Sequence, residues 1–281
     1  MTTLNKTLQA ATQALSASSE SPRLDAETLL AHLLKTPRAY LLAHADQVLQ
    51  PAEQAQYQAL IHRRKLQEPI AYLCGHKEFW SLDLLVTPDT LIPRPETELL
   101  VELTLSLLPL DQRPIRVADL GTGSGAIALA LAQERPRWEI HALDYSSAAL
   151  TIASQNASRL GLDKVHFHQG SWCKGLPELR FDALVSNPPY LSENEWQTCP
   201  KDLHFEPNSA LVSGPEGLDA LEELITSTKP YLKDQGLLLL EHGNLQAKKV
   251  RALLQAAGFA QIKTQIDLAG NERVSLGRFS A

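Results

Sequence analysis

Apolar residues recur at helical spacing in the first quarter of the chain, and the period then changes. Leu4, Leu8, Ala11 and Leu15 share one helical face. A serine-rich break from Ser16 to Pro22 follows, and Leu29, Leu30, Leu33 and Leu34 mark a second helix that Pro37 stops. A third helical segment runs from Arg38 to Asp46. A fourth runs from Pro51 to Arg64, with Pro51 and Glu53 in its first turn. Short amphipathic helices on short links predict a bundle over residues 1–68. Between 69 and 95, Gly75, Phe79-Trp80, the alternating Leu82, Leu84 and Val86, and prolines 88, 93 and 95 predict a linker with a short hairpin. Leu99, Leu100, Val101, Leu103 and Leu107 then lie on a helix, and Arg94-Pro95-Glu96-Thr97-Glu98 before it reads as capping chemistry.

From Ile115 onward strand-like and helix-like stretches alternate, which predicts an α/β domain over 96–281 built on a parallel sheet wrapped by helices. Strands are expected at 115–120, 139–143, 165–169, 183–186, 237–240, 260–266 and 274–278, seven without the hairpin. One late helix starts near Gly217 with apolar positions 218, 221, 224 and 225. Asn244 is expected to cap another, carrying Val250, Leu253 and Leu254 and ending at Gly258.

Candidate chemistry collects at strand ends. The first strand of this domain runs into Gly121-Thr122-Gly123-Ser124-Gly125 and a helix. Glycines there let the backbone turn tightly, let a ligand approach, and present helix amides to it. About twenty residues on, the next strand ends in Asp144, the spacing at which a carboxylate meets ribose hydroxyls. Together they imply an adenosine-bearing cofactor. The loop also satisfies part of the Gly-x-Gly-x-x-Gly/Ala dinucleotide pattern and does not choose by itself. Two features favour S-adenosylmethionine over a nicotinamide dinucleotide: Asp119 just before the loop, suited to a cationic amino-acid cofactor, and a polar acceptor motif after the fourth strand. A Walker phosphate loop is excluded, because no Lys-Ser or Lys-Thr follows the glycines. Trp172, beyond the third strand, is placed to stack on adenine or to cover the core.

The acceptor motif is Asn187-Pro188-Pro189-Tyr190, directly after the apolar run Ala183-Leu184-Val185-Ser186. Two successive prolines lack backbone donors and fix φ near about −65°, so the backbone is stiff and its carbonyls are free to accept. Asn187 adds a side-chain carbonyl and Tyr190 an aromatic face with a polar tip. The set suits a planar group bearing an NH₂, whether a carboxamide or an amino-bearing nucleobase.

Composition narrows the class. The chain has 281 residues, 44% of them hydrophobic, which is enough for two domains with real cores. A net charge of −6 argues against an extended phosphate-binding surface, hence against direct nucleic-acid binding. Cys74, Cys173 and Cys199 form no Cys-x-x-Cys pair, so no zinc site or disulfide framework is expected and the chain reads as reduced and cytoplasmic. His32, His44 and His62 are isolated; His166 and His168 share one strand face without a third ligand, and all five are read as structural. No apolar run is long enough to span a bilayer.

Five stretches taken together resemble the PrmC (HemK) family of release factor glutamine methyltransferases: Leu91-Ile-Pro-Arg-Pro-Glu-Thr-Glu98, Asp119-Leu-Gly-Thr-Gly-Ser-Gly125, Asn187-Pro-Pro-Tyr190, Phe205-Glu206-Pro207 and Asn271-Glu272-Arg273. The resemblance covers essentially the whole chain. It implies a seven-stranded Rossmann-like class I methyltransferase sheet with the last strand antiparallel, and an amino-terminal helical domain that recognises the substrate. It also implies methyl transfer from S-adenosylmethionine to the glutamine amide of a Gly-Gly-Gln tripeptide in peptide chain release factors; a monomer is expected. Asp119 and Gly121, Thr122, Gly123, Ser124 and Gly125, with Asp144, Trp172 and Asn187, would contact the cofactor. Asn187, Pro188, Pro189 and Tyr190 would hold the substrate, with Asn187, Pro188 and Tyr190 carrying catalysis. Ser171 stands where family members often carry an acidic residue. A sister family acting on a ribosomal-protein glutamine shares Asn-Pro-Pro-Tyr but would carry Arg-Ser-Pro in the first stretch. Adenine and guanine amino methyltransferases also place Asn-Pro-Pro-aromatic after the fourth strand, and the low basic content weighs against them.

Overall fold

The computed structural model describes residues 2–108 and 115–280; Met1, residues 109–114 and Ala281, which fall within the two domains expected above, lie outside the described residues. The chain divides into two compact units, Met1–His76 with Pro200–Phe205, and Lys77–Cys199 with Glu206–Ala281.

The first unit is helical: α1 (Leu4–Leu15), α2 (Pro22–Leu34), α3 (Arg38–Ala43), α4 (Pro51–Lys65) and α5 (Ile70–Cys74). Local chemistry sets the ends. The Thr3 side chain caps α1 at the Lys6 amide, Pro22 opens α2, and Glu53 reaches back to the Gln50 amide at 2.8 Å to start α4. Leu4, Leu8, Leu15, Leu29, Leu30, Tyr57 and Leu73 pack together in its core, and full burial of each leucine contributes about 1.5–3 kcal/mol. The Tyr57 hydroxyl donates to the Ala26 carbonyl at 2.8 Å, so its polar end is satisfied inside that core. Helix α5 starts the segment expected as linker, because the apolar side of Ile70–Cys74 belongs to this core.

In the second unit, β1 (His76–Phe79) and β2 (Leu82–Leu85) form the expected hairpin. Its turn residues Trp80 and Ser81 have φ of 51° and 59°, the left-handed geometry a two-residue hairpin demands. Neither is glycine, and the Glu98 and Glu78 carboxylates accept from their amides at 2.9 and 2.6 Å. The main sheet comprises β3 (Arg116–Leu120), β4 (Glu139–Asp144), β5 (His166–Gln169), β6 (Phe181–Ser186), β7 (Leu232–Glu241), β8 (Ala260–Ile266) and β9 (Glu272–Arg278), in the order β5-β4-β3-β6-β7-β9-β8. Strands β3 to β7 pair in parallel, and β9 runs antiparallel to both neighbours.

The helices are α6 (Glu98–Leu107), α7 (Ala126–Glu134), α8 (Ser147–Leu160), α9 (Glu193–Thr198), α10 (Asp219–Ser227) and α11 (Ala247–Ala256). Alternate strand residues point to opposite faces. Val117, Ala183, Val185, Leu237 and Leu239 meet α6 and α7 on one face, whereas Ala118, Leu184, Leu238 and Leu240 meet α10 and α11 on the other. Burial on both faces explains the nearly unbroken apolar runs of β6 and β7. Helix α11 departs from expectation at its start: its N-cap is Gln246, not Asn244. The Gln246 side chain accepts from the Gly243 amide and donates to the Tyr190 and Gly217 carbonyls, at 2.9, 2.9 and 3.1 Å, and so fastens the loop after β6.

Candidate active site

Five parallel strands end on the same side, and the loops after β3, β4, β5 and β6 converge there. After β3, Gly121, Gly123 and Gly125 take φ of 78°, 55° and 87°, all left-handed. A side chain at Gly125 would press on Leu129 and Ala153, at 3.0 and 3.3 Å from its Cβ. The Gly121 and Thr122 amides donate to the Leu143 carbonyl at 2.8 and 2.9 Å, which draws the loop across the end of β4. Asp144 accepts there from the Gly123 amide on Oδ2 and the Ser146 amide on Oδ1, each at 2.9 Å. Burial raises its carboxyl above the usual range, and the backbone donors pull the other way. A carboxylate has about four acceptor sites, so capacity remains for hydroxyls of a ligand.

A cavity of about 340 Å³ opens at this end of the sheet, and Gly121, Gly123, Asp144, Trp172, Asn187, Pro188 and Pro189 line it together. Trp172, at φ 49°, lies with its ring 3.5 Å from where a Gly121 Cβ would sit, and its indole N–H donates to Glu223 at 3.1 Å. Ser171 also reaches the cavity. The remaining expected cofactor residues do not line it. Thr122 and Ser124 are buried, and Gly125 shapes the start of α7. Asp119 is fully buried, accepting from the Thr122 hydroxyl at 2.6 Å and the Ala128 amide at 3.2 Å. Its Oδ1 has no hydrogen-bond partner among the described residues, and burial pushes its carboxyl up to about 7. Sequence reading missed one wall, the Pro88–Leu91 segment after the hairpin, and also Tyr145 and Ser209.

Asn187 stands between two spaces. A small second cavity, lined by Leu91, Arg94, Asn187, Tyr190, Ala210 and Leu211, shares Leu91, Asn187 and Ala210 with the larger one. Of these two cavities, Tyr190 lines the small one. The Asn187 amide nitrogen donates to the Thr97 hydroxyl at 3.0 Å. Thr97 therefore does not act as the cap expected of its stretch; no side-chain cap bond forms at the start of α6, and the Glu98 carboxylate holds the hairpin turn. Glu206 accepts from the Ile92 amide at 2.9 Å and pairs with Arg94, which fixes the Leu91–Pro95 segment beside Asn187.

Glu241 ends β7 inside this cluster and was not singled out from sequence. It is 1% exposed, and its Oε2 has no hydrogen-bond partner among the described residues. Burial drives its carboxyl up to about 7, while Thr97 and Arg273 pull it down. Burial likewise raises the Tyr190 hydroxyl, with the Glu241 charge adding to it. The available signal was an acidic residue closing the run Leu237–Leu240, where a buried strand meets the ligand end of the sheet.

Two of the histidines read as structural, His166 and His168, gather elsewhere with His141. Strand pairing sets His141 opposite His166, and His141 contacts His168 at 2.9 Å and Glu139 at 3.1 Å. Ligand atoms of Glu139, His141 and His166 lie within 4.8 Å of one another, although Arg116 already holds Glu139 at 2.6 Å. Strand register supplied the third and fourth members, which spacing within β5 did not reveal.

A glycine turn after β3, a carboxylate after β4 and an Asn-Pro-Pro-Tyr acceptor after β6, on a sheet with one reversed strand, define a class I methyltransferase. S-adenosylmethionine is the methyl donor of that class, and the cavity fits it: two glycines allow close approach, Asp144 offers acceptors, and Asp119 brings an unpaired buried oxygen behind the loop. A model of the PrmC N-terminal domain matches residues 6–75, and a methyltransferase domain model matches 111–270. The chain is 48% identical to the release factor glutamine methyltransferase of Coxiella burnetii over 95% of each chain. It is 45% identical to that of Vibrio cholerae over 99% of this chain and 97% of the relative. Among solved structures, the Thermus thermophilus 16S rRNA N2 G1207 methyltransferase, in complex with AdoMet and guanosine, matches at a TM-score of 0.54 and 21% identity, over 72% of this chain and 49% of that one, and shows the fold alone. The chain belongs to the release factor glutamine methyltransferase family.

Proposed function

We propose that this protein methylates the side-chain amide nitrogen of the glutamine in the Gly-Gly-Gln tripeptide of peptide chain release factors, with S-adenosylmethionine as donor. The observation that carries the reading is the position of Asn187 on the wall shared by the two cavities, with its nitrogen tied to Thr97 and its oxygen left to accept. The cofactor supplies an electrophilic methyl on a sulfonium. Everything else falls to the chain. Asp144 accepts from ribose hydroxyls, Trp172 packs on the adenine, and the backbone at Gly121 and Gly123 admits the cofactor closely; Asp119 acts from behind, bracing the loop through Thr122.

An amide nitrogen is a poor nucleophile because its lone pair is delocalised into the carbonyl. Positioning therefore carries the reaction. The Asn187 side-chain oxygen and the Pro188 carbonyl each accept one N–H of the substrate amide, which directs its lone pair at the methyl; such orientation is worth up to about 7–11 kcal/mol. Tyr190 packs on the amide plane, and Pro188 and Pro189 exclude water. As the nitrogen–methyl bond forms the methyl–sulfur bond breaks, leaving a neutral thioether, and the amide nitrogen then loses one proton, which passes to solvent.

The helical domain, residues 1–68, recognises the release factor in this reading. The protein acts as a cytoplasmic monomer without direct nucleic-acid binding. The net charge of −6 supports the last point. Among the described residues no helix is long and apolar enough to cross a membrane. Mass spectrometry of a release factor incubated with the protein and labelled S-adenosylmethionine tests the proposal. Label on the tripeptide glutamine is expected, and label elsewhere or on RNA would overturn it.

A further inference from the structure

We propose that Glu139, His141 and His166 form a binding site for one divalent transition-metal ion, zinc in the first place, towards the starts of β4 and β5. Two imidazoles and a carboxylate are the donor set that such borderline ions take, whereas Mg²⁺ and Ca²⁺ prefer oxygen alone. The site is separate from methyl transfer. Glu139 opens the strand that Asp144 ends, and none of the three residues lines either cavity at the ligand end of the sheet.

Strand register builds the donor set. His141 pairs with His166 across the parallel strands, and alternate side chains share a face, so Glu139 and His141 stand on one side of β4 with His166 beside them. Leu143, next on that face, packs in the apolar core, and His141 is itself only 4% exposed. A buried imidazole in an apolar row needs polar partners. Its Nε2 lies 3.1 Å from Glu139 Oε1, its ring centroid is 4.9 Å from that of His166, and ligand atoms of the three side chains fall within 4.8 Å of one another. Ligands bound at about 2.0–2.2 Å to a tetrahedral zinc stand about 3.3–3.6 Å apart, so His141 and Glu139 are already close to that spacing. His166 is exposed, and rotation about its side-chain torsions closes the remainder.

Two further groups orient the ligands. Arg116 donates to Glu139 Oε2 at 2.6 Å, which turns Oε1 towards His141. His141 Nδ1 lies 2.9 Å from His168 Nε2. With Nε2 on the ion, the His141 proton sits on Nδ1 and is donated to His168, the outer hydrogen bond that fixes a ligating histidine. The consequence is mechanical. Strand β5 has four residues and lies at the sheet edge against β4, so an ion held from both strands ties that edge down and stabilises the folded chain over the unfolded one.

The test uses the untagged full-length protein, stripped of metal by a chelator, with Zn²⁺, Co²⁺ and Mg²⁺ as probes. Calorimetry is expected to show one saturable Zn²⁺ site per chain, with Co²⁺ weaker and Mg²⁺ not bound. Saturating Zn²⁺ should raise the thermal unfolding midpoint by about 3 °C or more. His166→Gln, at an exposed position, and Glu139→Gln should each weaken Zn²⁺ binding by about tenfold or more, whereas His62→Gln, at an exposed histidine of the helical unit, should leave it unchanged. His168→Phe removes the outer acceptor and should weaken binding by about tenfold, and His168→Gln, which keeps an acceptor, should recover most of it. Absence of saturable Zn²⁺ binding, Mg²⁺ binding as tight as Zn²⁺, or parent affinity in either His166→Gln or Glu139→Gln overturns the site. Equal loss in His168→Phe and His168→Gln overturns the orienting role of His168.

Discussion

The two compact units hold their buried carboxylates in opposite ways. In the helical unit Asp25 faces Arg64 at 2.7 Å with the Ser19 hydroxyl also at 2.7 Å, and Glu27 lies between Arg23 and Arg38. Burial raises the Glu27 carboxyl, but the hydrogen bonds from Arg38 and Arg23 outweigh it and hold the group below its ordinary range. In the other unit, Asp119, Asp144 and Glu241 crowd the ligand end of the sheet on hydroxyls and backbone amides, and all three are raised by burial. That unit pairs charges as well, Asp182 with Lys233 at 2.6 Å at the far end of β6 and Glu206 with Arg94 in the segment braced beside Asn187. A carboxylate matched by a guanidinium supports the fold. One left with spare acceptor capacity supports a ligand or orients a neighbour, at some cost in stability.

The largest effect that would break this comparison is expected in the helical unit. Arg64→Leu strands Asp25 in a site 8% exposed and should destabilise the unit by about 3–5 kcal/mol in chemical denaturation, while cofactor affinity by calorimetry is unchanged. Replacing both partners by leucine should recover most of that loss, and no recovery would mean that the pair does more than compensate its own burial.

Asn187→Ala is the counterpart in the catalytic unit. It removes one of two acceptors for the substrate amide, and methyl transfer should fall by about a hundredfold or more with little change in the unfolding midpoint. A fall below about tenfold would transfer the burden to Pro188 and Tyr190.

Asp144→Ala should weaken S-adenosylmethionine binding by roughly 1.5–3 kcal/mol, since hydroxyl donors of the cofactor lose a charged acceptor. Unchanged affinity in calorimetry would refute a ribose-binding role.

A further effect separates the units by sign. Asp119 has an ordinary value of 3.8 and is raised to about 7 by burial, so the folded chain holds a proton that the unfolded chain has lost. Its contribution to stability is complete below the ordinary value and disappears as pH rises towards about 7. Glu27, held low by its arginines, contributes at neutral pH and loses that contribution only as pH falls through its depressed value. Thermal unfolding followed from about pH 5 to pH 8 should therefore show a flatter decline in Asp119→Asn than in the parent, and identical profiles would contradict the assignment.

Much of the fold was legible in the chain because the signals are local. Helix α1 shows its buried face directly in Leu4, Leu8, Ala11 and Leu15, and β8 spans the expected Ala260–Ile266. Where competing local signals met, reading failed. Asn244 looked like a cap, yet the helix starts beyond it at Ala247, because Gln246 turns its side chain to the Tyr190 and Gly217 carbonyls. The stretch around Thr97 looked like a cap as well, and its hydroxyl instead accepts from Asn187, far along the chain.

From sequence alone came the period of the elements, the glycines that must turn with positive φ, and Asp144 at the end of its strand, because sterics and spacing act over a few residues. Only the tertiary structure decided that Thr97 and Asn187 meet, that Tyr190 lines the small cavity, and that His141 and Glu139 join the histidines of β5. Those juxtapositions depend on strand order and register, which are set when β6 buries both faces between β3 and β7, and no spacing along the chain encodes them.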